Sequence, residues 1–324
     1  LRTGVSPVER RKRLKKLIAV LLSAAMLLAF GCAKAPAEPM NVAALKGPTG
    51  LGISYLMSED TENYSVELYD APDVVVGKFV SGEIDVAAVP INLASTLYNK
   101  TEGNVVVLCI DTLGVLYVVE NGDTVSTFAD LAGKTVSATG EGSTPQFVLN
   151  YLLDANGMTD QVTVDYAGEH TALAALLASG ETEIGMLPEP FVSSVTLKNP
   201  DARIALDLNE AWEEASGTKL VQGVYIASRD YYNENPEAIK DFLKDYQDSV
   251  NRVNTQDDAA DLIATLGIVA SAEIARQAIP RSNIVCITGE EMIEASNAML
   301  NVLFGANPAS VGGALPGEDF YYGG

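Results

Sequence analysis

Ser81-Gly82-Glu83-Ile84-Asp85-Val86-Ala87-Ala88-Val89-Pro90 is echoed further along the chain by Ser179-Gly180-Glu181-Thr182-Glu183-Ile184-Gly185-Met186-Leu187-Pro188. The two stretches agree in kind at each position: a small residue and a glycine, acids, then an apolar strand that stops at proline. What precedes them agrees as well. Each copy opens with an apolar strand running into a glycine-rich turn: Asn41–Leu45 into Gly47–Gly50, and Lys134–Ala138 into Gly140–Pro145. A helix is expected next (Leu51–Met57; Gln146–Ala155), then an alternating strand (Ser65–Tyr69; Gln161–Tyr166). A second helix, Pro72–Val80 or Thr171–Ala178, ends at a glycine, as helix stops commonly do. The chain therefore holds β-α-β-α-β twice, which predicts an α/β fold with parallel strands and helices on both faces of each sheet. Ligands on such sheets bind beyond the carboxyl ends of the strands. In both copies those ends carry the glycine-rich turn and the turn opened by the last proline.

Two stretches read as crossings between the units: Val105–Glu120, apolar runs broken at Asp111–Gly114, and Lys219–Ser228. Two strand crossings make a hinge around which stiff lobes can close. Beyond Ser228 the pattern is helical. Asn235 is expected to cap a helix with Pro236 at its first position. Ile239, Phe242, Leu243, Tyr246, Val250 and Val253 then form one apolar stripe. Asp257–Leu266, Ser271–Ile279 and Gly289–Leu303 are further helices, expected to cover the first lobe, and the tail 317–324 reads as a turn.

The N-terminus reads as an address. Arg10, Arg11, Lys12, Arg13, Lys15 and Lys16 precede the apolar run Leu17–Phe30, and Gly31-Cys32 follows. Basic, apolar, small is the order of a bacterial secretory signal, and the run is shorter than the roughly 20 residues that span a bilayer. Leu28–Cys32 is similar to a lipobox, in which Cys32 is acylated and becomes the new N-terminus; Ala33–Pro39 is then a short tether. The expected divisions are 1–31 signal, 32–40 lipidated tether, 41–112 with 223–324 as lobe I, and 113–222 as lobe II. With 48% apolar and 20% charged residues the chain is neither disordered nor fibrous. Its net charge is −22, and the basic leader leaves the remainder more acidic still, which excludes a nucleic-acid-binding role. One histidine and three cysteines exclude a multi-histidine metal site and a disulfide scaffold. Cys109 and Cys286 sit in apolar strand-like runs and read as core thiols rather than a bridge.

With the lipobox, the doubled unit and the turns together, the chain resembles the solute-binding lipoproteins of ABC importers, in the family for aliphatic sulfonates, taurine, nitrate and thiamine-precursor pyrimidines. Leu131–Val136 leading into Gly140–Pro145, Ser81–Pro90, Gly47–Gly50, Leu187–Pro190 and Asp319–Tyr322 carry the likeness. The resemblance implies a type II periplasmic-binding-protein-like fold, two βαβαβ lobes joined by two crossing strands with a ligand cleft between. It implies an extracytoplasmic, membrane-anchored monomer that needs no cofactor or metal. Its partners are then a small-molecule solute, an ABC permease with its ATPase, and the lipid membrane through Cys32. An enzyme on the same two-lobed fold and a surface ligand sensor without transport are the alternatives.

Candidate ligand-binding residues follow from the strand tips. Thr49, Gly50, Ser143 and Thr144 stand at expected helix starts, where free amides and hydroxyls favour an anionic group. Glu189, between two prolines that hold the chain extended, offers a carboxylate for an amine or a ring N–H, and the resemblance implies that it faces the cleft. Asn92 follows Pro90 in the equivalent turn. Gln222 and Gly223 sit at the second crossing, Thr112 and Gly114 at the first. Tyr55, Phe147, Phe191 and Tyr225 could stack on a ring. Trp212, in an acidic stretch, is expected on the surface, and His170 is expected to be a helix cap or surface group.

Overall fold

The computed structural model describes residues 39–323. The expected signal, most of the expected tether and Cys32, the expected acylation site, lie outside the described residues. The first half of the chain gives β1 (Met40–Leu45), α1 (Pro48–Leu51), α2 (Ser54–Glu59), β2 (Tyr64–Tyr69), α3 (Pro72–Ser81), β3 (Val86–Pro90), α4 (Ile91–Lys100), β4 (Val106–Thr112) and β5 (Leu116–Asn121). The middle gives β6 (Thr135–Ala138), α5 (Thr144–Ala155), β7 (Thr163–Tyr166), α6 (His170–Ser179), β8 (Ile184–Pro188), α7 (Phe191–Lys198), β9 (Ala202–Asp207) and α8 (Leu208–Ser216). The last part gives β10 (Gly223–Ala227), α9 (Arg229–Glu234), α10 (Pro236–Thr255), α11 (Ala259–Thr265), α12 (Ala272–Ala278), β11 (Ile284–Ile287) and α13 (Gly289–Ala306).

The repeat is visible in the sheets. One sheet runs β11-β4-β10-β3-β1-β2 and the other β7-β6-β8-β5-β9. β1 pairs in parallel with β2 and β3, and β6 pairs in parallel with β7 and β8. The fourth strand in each case arrives from a crossing and runs antiparallel: β10 against β3, β5 against β8. Both sheets are therefore mixed. The parallel order expected from β-α-β-α-β holds for three strands per sheet. It fails at the crossings, because a strand that re-enters a lobe from the cleft must run away from the parallel strands' carboxyl ends.

Local sequence explains most elements. α3 and α6 both end at a glycine in the left-handed region, Gly82 (φ 80°) and Gly180 (φ 76°), whose amides return to the last turn. Ser271 caps α12 by accepting from Ile274 N (3.3 Å). The apolar stripe of α10 packs on one face of the first sheet in a core containing Val42, Leu108, Cys109, Ile239, Phe242 and Tyr246. A second core is continuous across both sheets, with α13 (Met292, Met299, Leu300, Leu303) leaning on it between α4 and α5, and a third, with Tyr117, Leu173, Leu187 and Val192, lies under α6 and α7.

Four local expectations change. The helix expected over 51–57 is split into α1 and α2, because Gly52 and Ile53 turn the chain. Asn235 occupies the N-cap position of α10, but its side chain donates backwards to Tyr231 O (3.3 Å), so it is no side-chain cap. Trp212 is fully buried, its ring 4.9 Å from that of Tyr151 and its Nε1 donating to Thr218 Oγ1 at 3.3 Å. The acids around it occupy the solvent side of α8, while Trp212 occupies the inner face. The tail is not a free turn: Phe320 is buried and Tyr322 N donates to Val107 O (2.8 Å), clipping the chain end to β4.

Candidate functional site

On the first sheet the ends of β3 and β4 flank the start of β10, and on the second sheet β6 and β8 run side by side. On the first lobe, β1 runs into Gly47 at φ 120°, a left-handed backbone that glycine adopts without strain. The next turn carries Thr49, whose hydroxyl accepts from Leu45 N (3.2 Å) and donates to Leu45 O (3.3 Å). Thr49 is thus tied to its own strand. α1 is a single turn, so the anion-favouring helix start expected there has little dipole behind it. At Gly50, a methyl group would lie 2.7 Å from Leu45 O, so packing alone accounts for the glycine.

Gln222 and Gly223 lead into β10. Gln222 N donates to Thr112 O (3.0 Å), and its own carbonyl accepts from Ile91 N (3.3 Å). Gly223 pairs with Pro90 on one side and Thr112 on the other. A methyl group at Gly223 would lie 2.4 Å from Asp111 Oδ1 and 3.0 Å from Thr49 Cγ2. The glycine therefore lets Thr49, Asp111 and Thr112 converge. Gly114, by contrast, makes room for Asn209, whose Oδ1 accepts from Leu116 N at 3.1 Å; it serves the crossing's packing.

Asp111 is the residue that sequence reasoning missed. It is fully buried, and neither carboxylate oxygen has a hydrogen-bond partner among the described residues. Burial pushes its pKa up to about 7. Thr112 Oγ1, Gln222 Oε1, Tyr225 OH and Tyr246 OH are likewise buried and unpartnered among those residues. The rings of Tyr225 and Tyr246 are 4.8 Å apart, edge to face. A signal was available: Asp111 is an acid set inside an otherwise apolar run, and buried carboxylates are rare unless something satisfies them.

On the second lobe, Glu189 is fully buried at the end of β8, with a cis peptide to Pro190. Its carboxylate accepts from Arg281 Nε (2.6 Å) and from Ser193 N (3.0 Å), and Arg281 Nη2 donates to Ser193 Oγ (2.9 Å). Burial pushes its pKa upward, against the pull of Arg281 and Ser193. The carboxylate expected to await an amine is thus already neutralised by a guanidinium from the segment between α12 and β11. No local pattern around Pro280-Arg281-Ser282 points to this partner.

The lobes touch directly. Thr144 Oγ1 donates to Asn92 Oδ1 (2.9 Å), and Asn92 Nδ2 reaches Ser310 O (3.3 Å). Ser143 stands at the N-cap of α5, but its hydroxyl donates back to Gly140 O (2.9 Å). Arg281 itself spans the gap, since its carbonyl accepts from Tyr117 OH at 3.1 Å. Leu113 N donates to Asn283 O (3.1 Å), tying the first crossing to the loop before β11.

His170 opens α6, but it is no surface cap. Its Nδ1 lies 2.6 Å from the buried Thr139 Oγ1, its ring is 5.0 Å from Phe191, and burial lowers its pKa to about 4. Phe191 in turn lies 3.7 Å from where a methyl at Gly47 would stand, so the aromatic pair reaches across to the first lobe. Tyr55 is elsewhere: its hydroxyl donates to Asp258 (2.6 Å) and Arg252 covers its ring. Phe147 lines a groove of about 620 Å³ with Tyr151, Leu303 and Ala306, behind the strand tips.

What the arrangement can do is hold a small molecule. It offers buried acceptors and hydroxyls on one lobe, and an imidazole, an aromatic ring and a guanidinium–carboxylate pair on the other. No group of three or more His, Cys, Asp or Glu side chains among the described residues could bind a metal ion. No described helix is long and apolar enough to cross a membrane.

Comparison with known proteins agrees with this geometry. A family model described as ABC transporter, phosphonate, periplasmic substrate-binding protein matches residues 53–277. Among solved structures, the chain is similar to an ABC transporter protein from Parabacteroides distasonis (TM-score 0.76, 22% identity, covering 88% of this chain and 99% of that one). It is also similar to the periplasmic aliphatic sulphonate-binding protein of Escherichia coli (TM-score 0.67, 18% identity, 84% of this chain and 88% of that one). The periplasmic nitrate-binding protein of Synechocystis PCC 6803 is a more distant likeness (TM-score 0.61, 14% identity, 84% and 83%). At these identities the structures show a shared fold. A search of curated proteins finds no match.

Proposed function

Because the chain belongs to the phosphonate-binding family of periplasmic substrate-binding proteins of ABC transporters, we propose that it captures a small polar organic solute between its lobes and delivers it to a membrane permease. The reading takes 41–112 with 223–324 as one lobe and 113–222 as the other. One observation carries it: side chains at the strand and helix ends of the two lobes are joined directly. Side-chain bonds such as Arg281–Glu189 and Thr144–Asn92 span the gap. Contacts made between lobes form only on closure, so a solute that favours them shifts the open–closed balance.

Thr49, Asn92, Thr112, Ser143, Thr144, Glu189, Gln222 and Gly223 are the residues proposed to surround the solute, with Gly50 and Gly114 setting the backbone around them. The protein is further proposed to be a lipoprotein, acylated at Cys32 and held at the outer face of the cell membrane as a monomer. Two or more acyl chains suffice for stable anchoring. Sulfonates and thiamine-precursor pyrimidines are the solute classes suggested by the likeness.

A thermal-shift screen of sulfonates, thiamine precursors, flavins and amino acids tests the reading, since a bound solute raises the melting temperature by mass action. Recovery of the solute unchanged after prolonged incubation is expected. Its conversion would favour an enzyme on this fold, and a chain indifferent to every class would overturn the solute-binding assignment.

A further inference from the structure

Cys109 in β4 and Cys286 in β11 are far apart in sequence but belong to neighbouring strands. β11 is the edge strand of the first sheet and pairs antiparallel with β4. In that register Ile287 faces Ile110, so each cysteine stands one residue before the matched pair and the two lie on a diagonal across it. Both side chains turn to the face under α10. Cys109 is fully buried in that core, and Cys286 packs against it with its Sγ donating to Leu243 O (3.9 Å). The Cys109 thiol is in side-chain hydrogen-bond contact with Cys286; burial first, and then this contact, holds its pKa well above the ordinary thiol value. Both are free thiols.

The two sulfurs differ in access. Cys286 is half-buried and lines a surface cavity of about 260 Å³ whose rim carries the exposed Lys240 and Lys244. Cys109 exposes nothing to solvent, and Cys286 lies against it. A reagent entering the cavity therefore meets Cys286 first, and Cys109 meets the modified sulfur from behind. A buried thiol is inert until a neighbour brings the reaction to it. The matched family is periplasmic, and outside the cytoplasm thiols meet oxidants that let disulfides form and persist.

We propose that Cys109 and Cys286 are a disulfide-forming pair whose co-substrate is a low-molecular-weight disulfide, and that the bridge fastens β11 to β4. The Cys286 sulfur attacks one sulfur of the reagent R–S–S–R; a mixed disulfide forms on Cys286, and the other half leaves as a thiolate that takes the Cys286 proton. The Cys109 sulfur then attacks Cys286 Sγ, and the second thiolate leaves with the Cys109 proton. Two cysteine thiols are oxidised, and one reagent disulfide is reduced to two thiols. The loop before β11 gives this bridge its consequence. Arg281 there holds Glu189 and Ser193 and accepts from Tyr117 OH, while Asn283 accepts from Leu113 N and donates to Gly114 O. β11 is only four residues long and carries a register shift, a short anchor for such a loop. A covalent tie to β4 strengthens it.

The full chain, incubated with oxidised glutathione or with a phosphine reductant, is alkylated in denaturant and mapped by mass spectrometry. Oxidation is expected to yield a peptide joining Cys109 to Cys286, and to raise the melting temperature above that of the reduced protein by on the order of 5 °C. Cys109→Ala is expected to stop at the mixed disulfide, with one glutathione on Cys286. Cys286→Ser is expected to take up no glutathione at Cys109 and to show no oxidant-dependent shift. The natural chain's own peptide map carries the test should either variant fail to fold. Cys109 and Cys286 recovered unlinked after oxidation overturn the proposal, as does a link that forms only once the chain is unfolded. A linked peptide without a rise in melting temperature overturns the fastening of β11, and glutathione on Cys109 of the Cys286→Ser protein overturns the order of attack.

Discussion

Replacing Asp111 with asparagine should make the protein more stable in alkali than the natural chain, and the gain should vanish in acid. Asp111 is buried without a hydrogen-bond partner among the described residues, and burial lifts its pKa from the ordinary aspartate value near 4 to about 7. Between those values the folded protein keeps a proton that the unfolded chain has lost. Stability from this group is therefore full below about pH 4 and is lost as the pH climbs through about 7. At roughly 1.4 kcal/mol per pH unit, the whole interval amounts to about 4 kcal/mol, of which about 3 kcal/mol falls between about pH 5 and pH 8. Asparagine has nearly the same shape and no charge to bury. Urea unfolding of both proteins at the two pH values, without solute, reads the effect as a difference of differences in which every other titrating group cancels. A natural-minus-variant difference that stays flat would mean that Asp111 is solvated or paired in solution, and the argument from burial would be wrong.

Arg281→Gln leaves Glu189 buried without its guanidinium and should weaken solute affinity at least about tenfold. The double variant with Glu189→Gln should recover part of that loss in a double-mutant cycle; strict additivity would show that the pair does not couple the lobes. Trp212→Ala should cost about 3–5 kcal/mol in urea unfolding, the usual range for emptying a buried aromatic site; a surface tryptophan would cost almost nothing. Cys32→Ser should move the protein from the membrane fraction to the soluble fraction, and an unchanged distribution would dismiss the lipid anchor.

The sequence alone determined the two-unit α/β plan and the family likeness. Repeated strands, helix-stopping glycines such as Gly82 and Gly180, and terminal prolines are local signals, because backbone preference and apolar periodicity act over a few residues. The same reasoning put Gln222, Gly223, Thr144 and Glu189 at the ends of strands and helices, where the structure has them. It did not show that the re-entering strands β5 and β10 run antiparallel, since strand direction at a crossing depends on where the lobes sit. Nor did it show which face of α8 carries Trp212 inward. The electrostatics of the cleft were equally hidden. Glu189 looked like the free carboxylate and Asp111 like part of a strand break, yet folding gives Arg281 to the first and no partner among the described residues to the second. Arg281 is remote from Glu189 in sequence, and an ion pair depends on distance in space. Only the tertiary structure could decide which acid finds a partner within the protein and which does not.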